Sequence, residues 1–300
     1  MTRSENLTGA LLMMASMACF TFNDTAMKAM AGDVPLFQLL LLRGMITTVL
    51  VACIAWRMGA LKASLPRRDW GLMALRTAAE VGAAYFFLTA LFNMPLANVT
   101  AILQALPLTI TLAAALFLRE PVGWRRMVAI LVGFAGVLLI VRPGTDDFNF
   151  YAVYALLAVG CVTVRDLSTR RLSKDTPSMF VTLLTSIATM TIFGLLSLGV
   201  DWAPMGMREA GLVGTASLFI IGGYLFSIMV MRVGEISFVA PFRYTGLLWA
   251  MLLGFVVFGE WPATLTLLGA AIVVGSGLFT LYRESQLGRK RPLAQPPRRH

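Results

Sequence analysis

Phe22-Asn23-Asp24-Thr25-Ala26-Met27-Lys28 reappears, loosely, as Val164-Arg165-Asp166-Leu167-Ser168-Thr169-Arg170. Each copy closes an apolar run, and a proline follows at a matching distance, Pro35 after the first and Pro177 after the second. The chain therefore reads as two related halves. With an odd number of membrane spans in each, the second half enters the bilayer from the other side and lies inverted. Inverted halves are a recurrent plan of secondary transporters, whose substrate site sits between them near mid-membrane.

Composition fixes the solvent. Of the 300 residues, 58% are hydrophobic and only 13% are charged, whereas soluble domains carry about 25% charged residues. The structural unit is then a bilayer-crossing helix of about 20 residues. Apolar runs between charge clusters predict ten spans: 7–30, 35–57, 70–92, 95–118, 124–141, 149–170, 178–199, 209–232, 236–258 and 263–282. The runs are continuous rather than alternating, which favours helices over barrel strands. The expected fold is an all-α integral membrane protein with ten transmembrane helices in two inverted five-helix repeats. The repeats are 7–141 and 149–282, between an N-terminal segment 1–6 and a basic tail 283–300.

Charge gives the orientation. Nineteen of the 25 Lys and Arg residues lie in one set of loops or in the terminal segments, among them Arg57, Lys62, Arg67, Arg68, Arg119, Arg165, Arg170 and Lys174. The opposite loops hold Lys28, Arg142 and Arg208, while Arg43, Arg76 and Arg243 fall inside spans. The positive-inside rule then places both termini in the cytoplasm, in a multi-pass protein of a bacterial-type inner membrane. The same distribution argues against nucleic acid, because the net charge of +10 forms no basic stripe interleaved with aromatics. Ala29-Met30-Ala31 looks like a leader-cleavage site, but its run matches the internal one at 149–170 and reads as a retained span. The tail from Arg289 to Arg299 is expected to be disordered and drawn to anionic lipid.

Several chemistries have no residues to carry them. Cys19, Cys53 and Cys161 lie in apolar runs without CxxC spacing, and His300 is the only histidine. Neither a disulfide framework nor a metal site is implied. HExxH, GxSxG and the GxxxxGK[ST] phosphate loop do not occur. The reading is of a protein that is not an enzyme, with no catalytic residues, no cofactor and no ATP.

A shift of about 140 residues aligns more than the opening motif. Asp69-Trp70-Gly71-Leu72 meets Glu209-Ala210-Gly211-Leu212, and Leu118-Arg119-Glu120-Pro121 meets Phe258-Gly259-Glu260-Trp261. After each glutamate comes a helix with small residues, Ala129, Gly133 and Gly136 in one and Gly269, Ser276 and Gly277 in the other. Such residues let helix backbones approach closely. On these features, over about residues 7–282, the chain resembles the EamA-type ten-helix members of the drug/metabolite transporter superfamily. Ala129 departs from the pattern, which usually has glycine there. The resemblance implies a central cavity between inverted halves and alternating access without ATP hydrolysis. It also implies export of small metabolites, and the chain looks most like the YddG-type amino-acid exporters, which favour aromatic substrates.

Polar residues in the spans mark candidate sites, since a charge at mid-bilayer costs about 2.5–3.5 kcal/mol on insertion scales. The substrate-binding candidates are Arg43, Arg76, Glu80, Tyr85, Gln104, Tyr224, Arg243 and Tyr244. Arg76 and Glu80 are four apart and share a helix face, and Arg43 lies at similar depth. Two roles fit them: an ion pair that locks the bundle, or a substrate or proton site. Glu80 is the only acid near mid-depth, so any proton coupling is expected to use it. Arg243 suits a substrate carboxylate or an interface, and Pro107 beside Gln104 frees a backbone carbonyl. Asn23, Asp24, Lys28, Asp166 and Arg170 read as gate or anchor, with Asp24–Lys28 and Asp166–Arg170 as i,i+4 pairs. Glu120 and Glu260 are expected to cap or bridge helices within their own hairpins. The partners are a small-molecule substrate and the lipid bilayer, with the chain a monomer or a homodimer. A structural or sensory membrane subunit is the alternative, but it leaves Arg43, Glu80 and Arg243 without purpose.

Overall fold

A computed structural model describes residues 3–57, 59, 66–120, 122–145, 147–173, 177–233 and 236–289. Lys62, Lys174, Pro121 and the tail cations Lys290, Arg291, Arg298 and Arg299 lie outside the described residues. Without water to satisfy backbone groups, an apolar run must bond to itself, and each expected run is helical. The helices are α1 (Arg3–Lys28), α2 (Leu36–Arg57), α3 (Trp70–Asn93), α4 (Leu96–Leu103), α5 (Leu106–Phe117) and α6 (Trp124–Val141). The second half follows with α7 (Tyr151–Arg171), α8 (Ser178–Ser197), α9 (Met207–Val233), α10 (Ile236–Val239), α11 (Thr245–Phe258) and α12 (Thr264–Arg289). The last helix continues through Arg289, beyond the expected span end at 282.

Nine spans among the described residues are long and apolar enough to cross a bilayer. The tenth, α1, has the length, at 26 residues, but turns polar side chains inward: Ser16, Thr21, Asn23, Thr25 and Lys28 are all buried. Hydroxyls in the spans satisfy themselves on the preceding turn, as Thr25 Oγ1 does on the Thr21 carbonyl at 2.8 Å and Thr163 on Val159 at 2.8 Å. Large apolar side chains point outward instead, among them Trp56, Leu116, Phe117, Trp124, Leu198 and Val256. In water such a belt would aggregate; in lipid it is the solvated surface.

The fourth and ninth spans are broken at corresponding places. α4 ends at Leu103 and α5 begins at Leu106, because Pro107 lacks an N–H and its ring would meet the Leu103 carbonyl. In the ninth span a 3-10 turn over Ala240–Tyr244, containing Pro241, separates α10 from α11. Gln104 Nε2 donates to the Tyr244 carbonyl at 3.5 Å, so the two breaks meet.

Helix pairing obeys a two-fold exchange of the halves. α1 packs on α9 and α3 on α7, two contacts that interchange when the halves are swapped; α2 packs on α8 and α6 on α12, each onto its counterpart. Five spans per half make the exchange an inversion, with its axis in the membrane plane. Thr48 and Ser186, on the counterpart helices α2 and α8, touch at 2.7 Å. α6 and α12 cross at Gly136 and Gly269, where a Cβ on Gly269 would stand 2.5 Å from the Gly136 carbonyl oxygen. The doubled small-residue pattern is thus a helix contact between the halves.

Candidate functional site

A cavity of about 290 Å³ opens between α2, α3, α7, α8 and α9. Leu40, Ala84 and Phe193 form its floor, and it runs past Arg76, Thr169 and Thr182 toward the end of the bundle where α1 begins and α12 ends, the terminal end. Its walls carry Arg43, Arg76, Glu80, Arg165 and Asp166, a row of hydroxyls from Thr47, Thr182, Thr185, Ser186 and Thr189, and the Tyr224 ring. Tyr224 is held edge-on by Phe20 of α1, with ring centroids 5.4 Å apart.

The three arginines are not equivalent. Arg165 takes both acids: its Nη1 lies 3.3 Å from Glu80 Oε2 and its Nη2 lies 2.8 Å from Asp166 Oδ1. Arg43 Nη1 donates to the neutral Asn23 Oδ1 at 3.3 Å, and Asn23 Nδ2 in turn donates to Asp24 Oδ1 at 2.9 Å. Arg76 donates through Nε to Thr169 Oγ1 at 2.9 Å and through Nη1 to Thr185 Oγ1. Among the described residues no carboxylate lies within 4.0 Å of either guanidinium as an ion-pair partner. Two cationic forks thus line the cavity while hydrogen-bonded to neutral oxygens, a geometry suited to a carboxylate or phosphate.

None of the expected i,i+4 ion pairs is found among the described residues, and Glu80, Lys28 and Arg170 each find a partner outside their own helix. Arg76 and Glu80 share a face of α3, but the glutamate is drawn to Arg165 across the α3–α7 contact; Arg43 does not pair with it either. Lys28 does not pair with Asp24. Its Nζ lies 2.6 Å from Glu260 Oε1 and 2.6 Å from the Met94 carbonyl oxygen. Asp166 binds Arg165, and Arg170 stands 3.9 Å from Glu120. Glu260 and Glu120 therefore reach the opposite half instead of capping within their own hairpins. For Glu80, Lys28 and Arg170 the physical reason is the same: a facing element brings an opposite charge closer than the flexible i,i+4 geometry does, and lipid on the outer face penalises a charge that stays there. Asp166 and Asp24 are instead held by the adjacent Arg165 and Asn23 of their own helices.

The other sequence-predicted residues lie elsewhere. Tyr85 is not among the residues lining the cavity; it stacks on Phe37 at 6.0 Å and meets Phe86 edge-on at 5.4 Å. Gln104, Arg243 and Tyr244 gather at the broken spans, also away from the lining. Tyr244 is buried over Gly277, where any Cβ would collide with its hydroxyl, and among the described residues that hydroxyl has no hydrogen-bond partner. Arg165 was missing from the sequence-derived site. It stands with the loop cations Arg170 and Arg171 in the sequence, but it lies inside α7. Its register with Asn23, a residue of the first half already inside a span, is the signal that would have found it.

The EamA-like transporter family matches residues 7–142. The riboflavin transporter of Vibrio cholerae serotype O1 is 31% identical over 296 residues, covering 95% of this chain and 96% of that protein. The S-adenosylmethionine uptake transporter of Rickettsia bellii is 28% identical over 202 residues, 66% of this chain and 67% of the relative. The pseudopaline exporter CntI of Pseudomonas aeruginosa is 26% identical over 274 residues, 88% of this chain and 93% of the relative. A solved crystal structure with 20% sequence identity shares the fold with a TM-score of 0.64, over 94% of this chain and 99% of that one.

Proposed function

The chain belongs to the EamA-like transporter family of the drug/metabolite transporter superfamily, and on that premise we propose that it exports a small carboxylate-bearing metabolite of the amino-acid class. The observation that carries this reading is the pair of guanidiniums on Arg43 and Arg76, which line the cavity and, among the described residues, hydrogen-bond to neutral oxygens, with Asp24 and Glu80 acting on them only at longer range. A substrate carboxylate would bridge or choose between these forks. An ammonium group on the same substrate would find Glu80 and Asp166 across the cavity, both already shared with Arg165. The Tyr224 ring and Phe193 offer contact to an apolar or aromatic side chain.

The export direction is taken from the family resemblance. The cavity runs toward the end where α1 begins and α12 ends, which the Lys/Arg bias places in the cytoplasm. An exporter would load at that end, and an uptake carrier would release there. The relatives include uptake transporters and an exporter by name, so the direction belongs to this chain's own test. Release on the far side would follow from rocking of one half against the other about the fixed site. Glu80 is the group through which a proton gradient would act, since its protonation frees Arg165 from one of its two acids.

Proteoliposome flux with a panel of labelled solutes tests the reading. The panel holds aromatic, aliphatic and acidic amino acids, with riboflavin and S-adenosylmethionine beside them. Saturable flux of an amino acid, lost in Arg43→Gln and Arg76→Gln, is the expected result. Flux of riboflavin alone would move the substrate class to that of the Vibrio cholerae relative, and no flux of any solute would remove the reading.

A further inference from the structure

The ends of the bundle carry two ion pairs that the exchange of halves turns into each other. At the end remote from the termini, Lys28 closes α1 and Glu260 follows α11. At the end with the termini, Arg170 lies in the last turn of α7 and Glu120 follows α5. Shifted by about 140 residues, Lys28 corresponds to Arg170 and Glu260 to Glu120. Each pair joins the first span of one half to the fourth span of the other.

Their states differ. The Lys28–Glu260 contact is 2.6 Å, with the lysine side chain 8% exposed. It is reinforced on every side: the Leu96 amide donates to Glu260 Oε2 at 3.0 Å, Lys28 Nζ also binds the Met94 carbonyl, and Nζ sits 5.0 Å from the centre of the Phe258 ring. The Arg170–Glu120 contact is stretched to 3.9 Å, and its side chains are 52% and 53% exposed. The cavity runs toward this second, loosened end. Symmetry-related contacts with one closed and one slack are what a two-state element looks like when caught in one of its states.

We propose that Lys28–Glu260 and Arg170–Glu120 are the paired latches of alternating access, each closed when the other is open, and that this structure is the state with the Lys28–Glu260 latch shut. The proposal rests on the transporter reading but not on the identity of the substrate. Energetically the shut latch is worth most where it is buried, because removing one charge strands the other in low dielectric. Breaking it therefore biases the protein toward the opposite state, while breaking the slack pair has no closed contact to lose in the present one.

Glu260→Gln and Glu120→Gln form a matched test, since glutamine keeps an acceptor for the Leu96 amide and removes only the charge. The reporter is Ala84→Cys on the cavity floor, in a background of Cys19→Ala, Cys53→Ala and Cys161→Ala. Sealed vesicles sorted by the side on which a C-terminal tag is exposed receive a membrane-impermeant maleimide at the face opposite the termini. Glu260→Gln is expected to speed labelling from that face by about fivefold, and Glu120→Gln to leave it unchanged or slow it. Lys28→Gln and Arg170→Gln repeat the comparison from the basic side, so a folding defect in one variant leaves its partner to decide. Equal labelling in all variants, or the same change in both pairs, overturns the proposal. Opposite changes without flux of any solute in the panel would uphold the latches and remove the amino-acid substrate class; flux without opposite changes would keep that substrate class and overturn the latches.

Discussion

Glu80 of α3 lies 3.3 Å from Arg165 of α7, although Arg76 stands one turn away on the glutamate's own helix. The acid is thereby tied to the other half of the protein, and Arg76 is left to the hydroxyls of Thr169 and Thr185. One cross-half ion pair thus determines which arginines remain for a ligand.

Removing either partner of that contact should have unequal effects. Arg165→Gln strands both Glu80 and Asp166, whereas Glu80→Gln leaves Arg165 paired to Asp166. We expect Arg165→Gln to lower stability by about 1–3 kcal/mol, read as a fall in melting temperature in detergent, and Glu80→Gln to cost clearly less. Glu80→Gln should also abolish any acceleration of flux by a proton gradient. Unchanged gradient dependence would assign Glu80 a structural role.

The crossing of α6 and α12 should tolerate no side chain at its centre. A Cβ at Gly269 would stand 2.5 Å from the Gly136 carbonyl oxygen, whereas a Cβ at Gly275 meets nothing within 4 Å. Gly269→Ala is expected to destabilise by about 1–3 kcal/mol, and Gly275→Ala to be neutral or slightly stabilising. Thermal melting of the two variants side by side checks this.

The two halves solve the end of their fourth span differently. Gly259 has φ 67° and its counterpart Arg119 has φ 55°, so the same left-handed turn is built once with glycine and once without. Arg119→Gly should raise stability by about 0.5–1 kcal/mol. Gly259→Arg should lower it. Equal melting temperatures for both variants and the parent would contradict this account of the turn.

Tyr244 offers a separate discrimination. Its hydroxyl is buried over Gly277 with no hydrogen-bond partner among the described residues. If the ring only packs, Tyr244→Phe keeps flux intact and leaves stability unchanged or raised by about 1 kcal/mol. Loss of flux with normal melting would instead make that hydroxyl part of the substrate path.

Spans were legible because about 20 apolar residues in a row have one stable solution in lipid; the breaks at Pro107 and Pro241 inside the runs 95–118 and 236–258 were not expected. Arg43, Arg76, Glu80, Asp166 and Tyr224 were legible as costly or polar side chains in those spans, and all five line the cavity. Their partners were not. Spacing shows which side chains share a helix face, but only packing shows what the facing helix presents. Glu80 thus finds Arg165, and Lys28 finds Glu260 across 232 positions of sequence. Arg165 itself was hidden by its company: cations close behind it in the chain mark the membrane surface, while the α3–α7 contact draws it to the cavity.

The central claim, that Arg43 and Arg76 receive a substrate carboxylate, is tested most directly by counterflow of one amino acid against its carboxamide. Both have the same size and ammonium group, and only the acid offers a charge to the two forks. The acid is expected to exchange saturably in the parent and not in Arg43→Gln or Arg76→Gln, with the amide failing in all three. Equal exchange of acid and amide by the parent would contradict it.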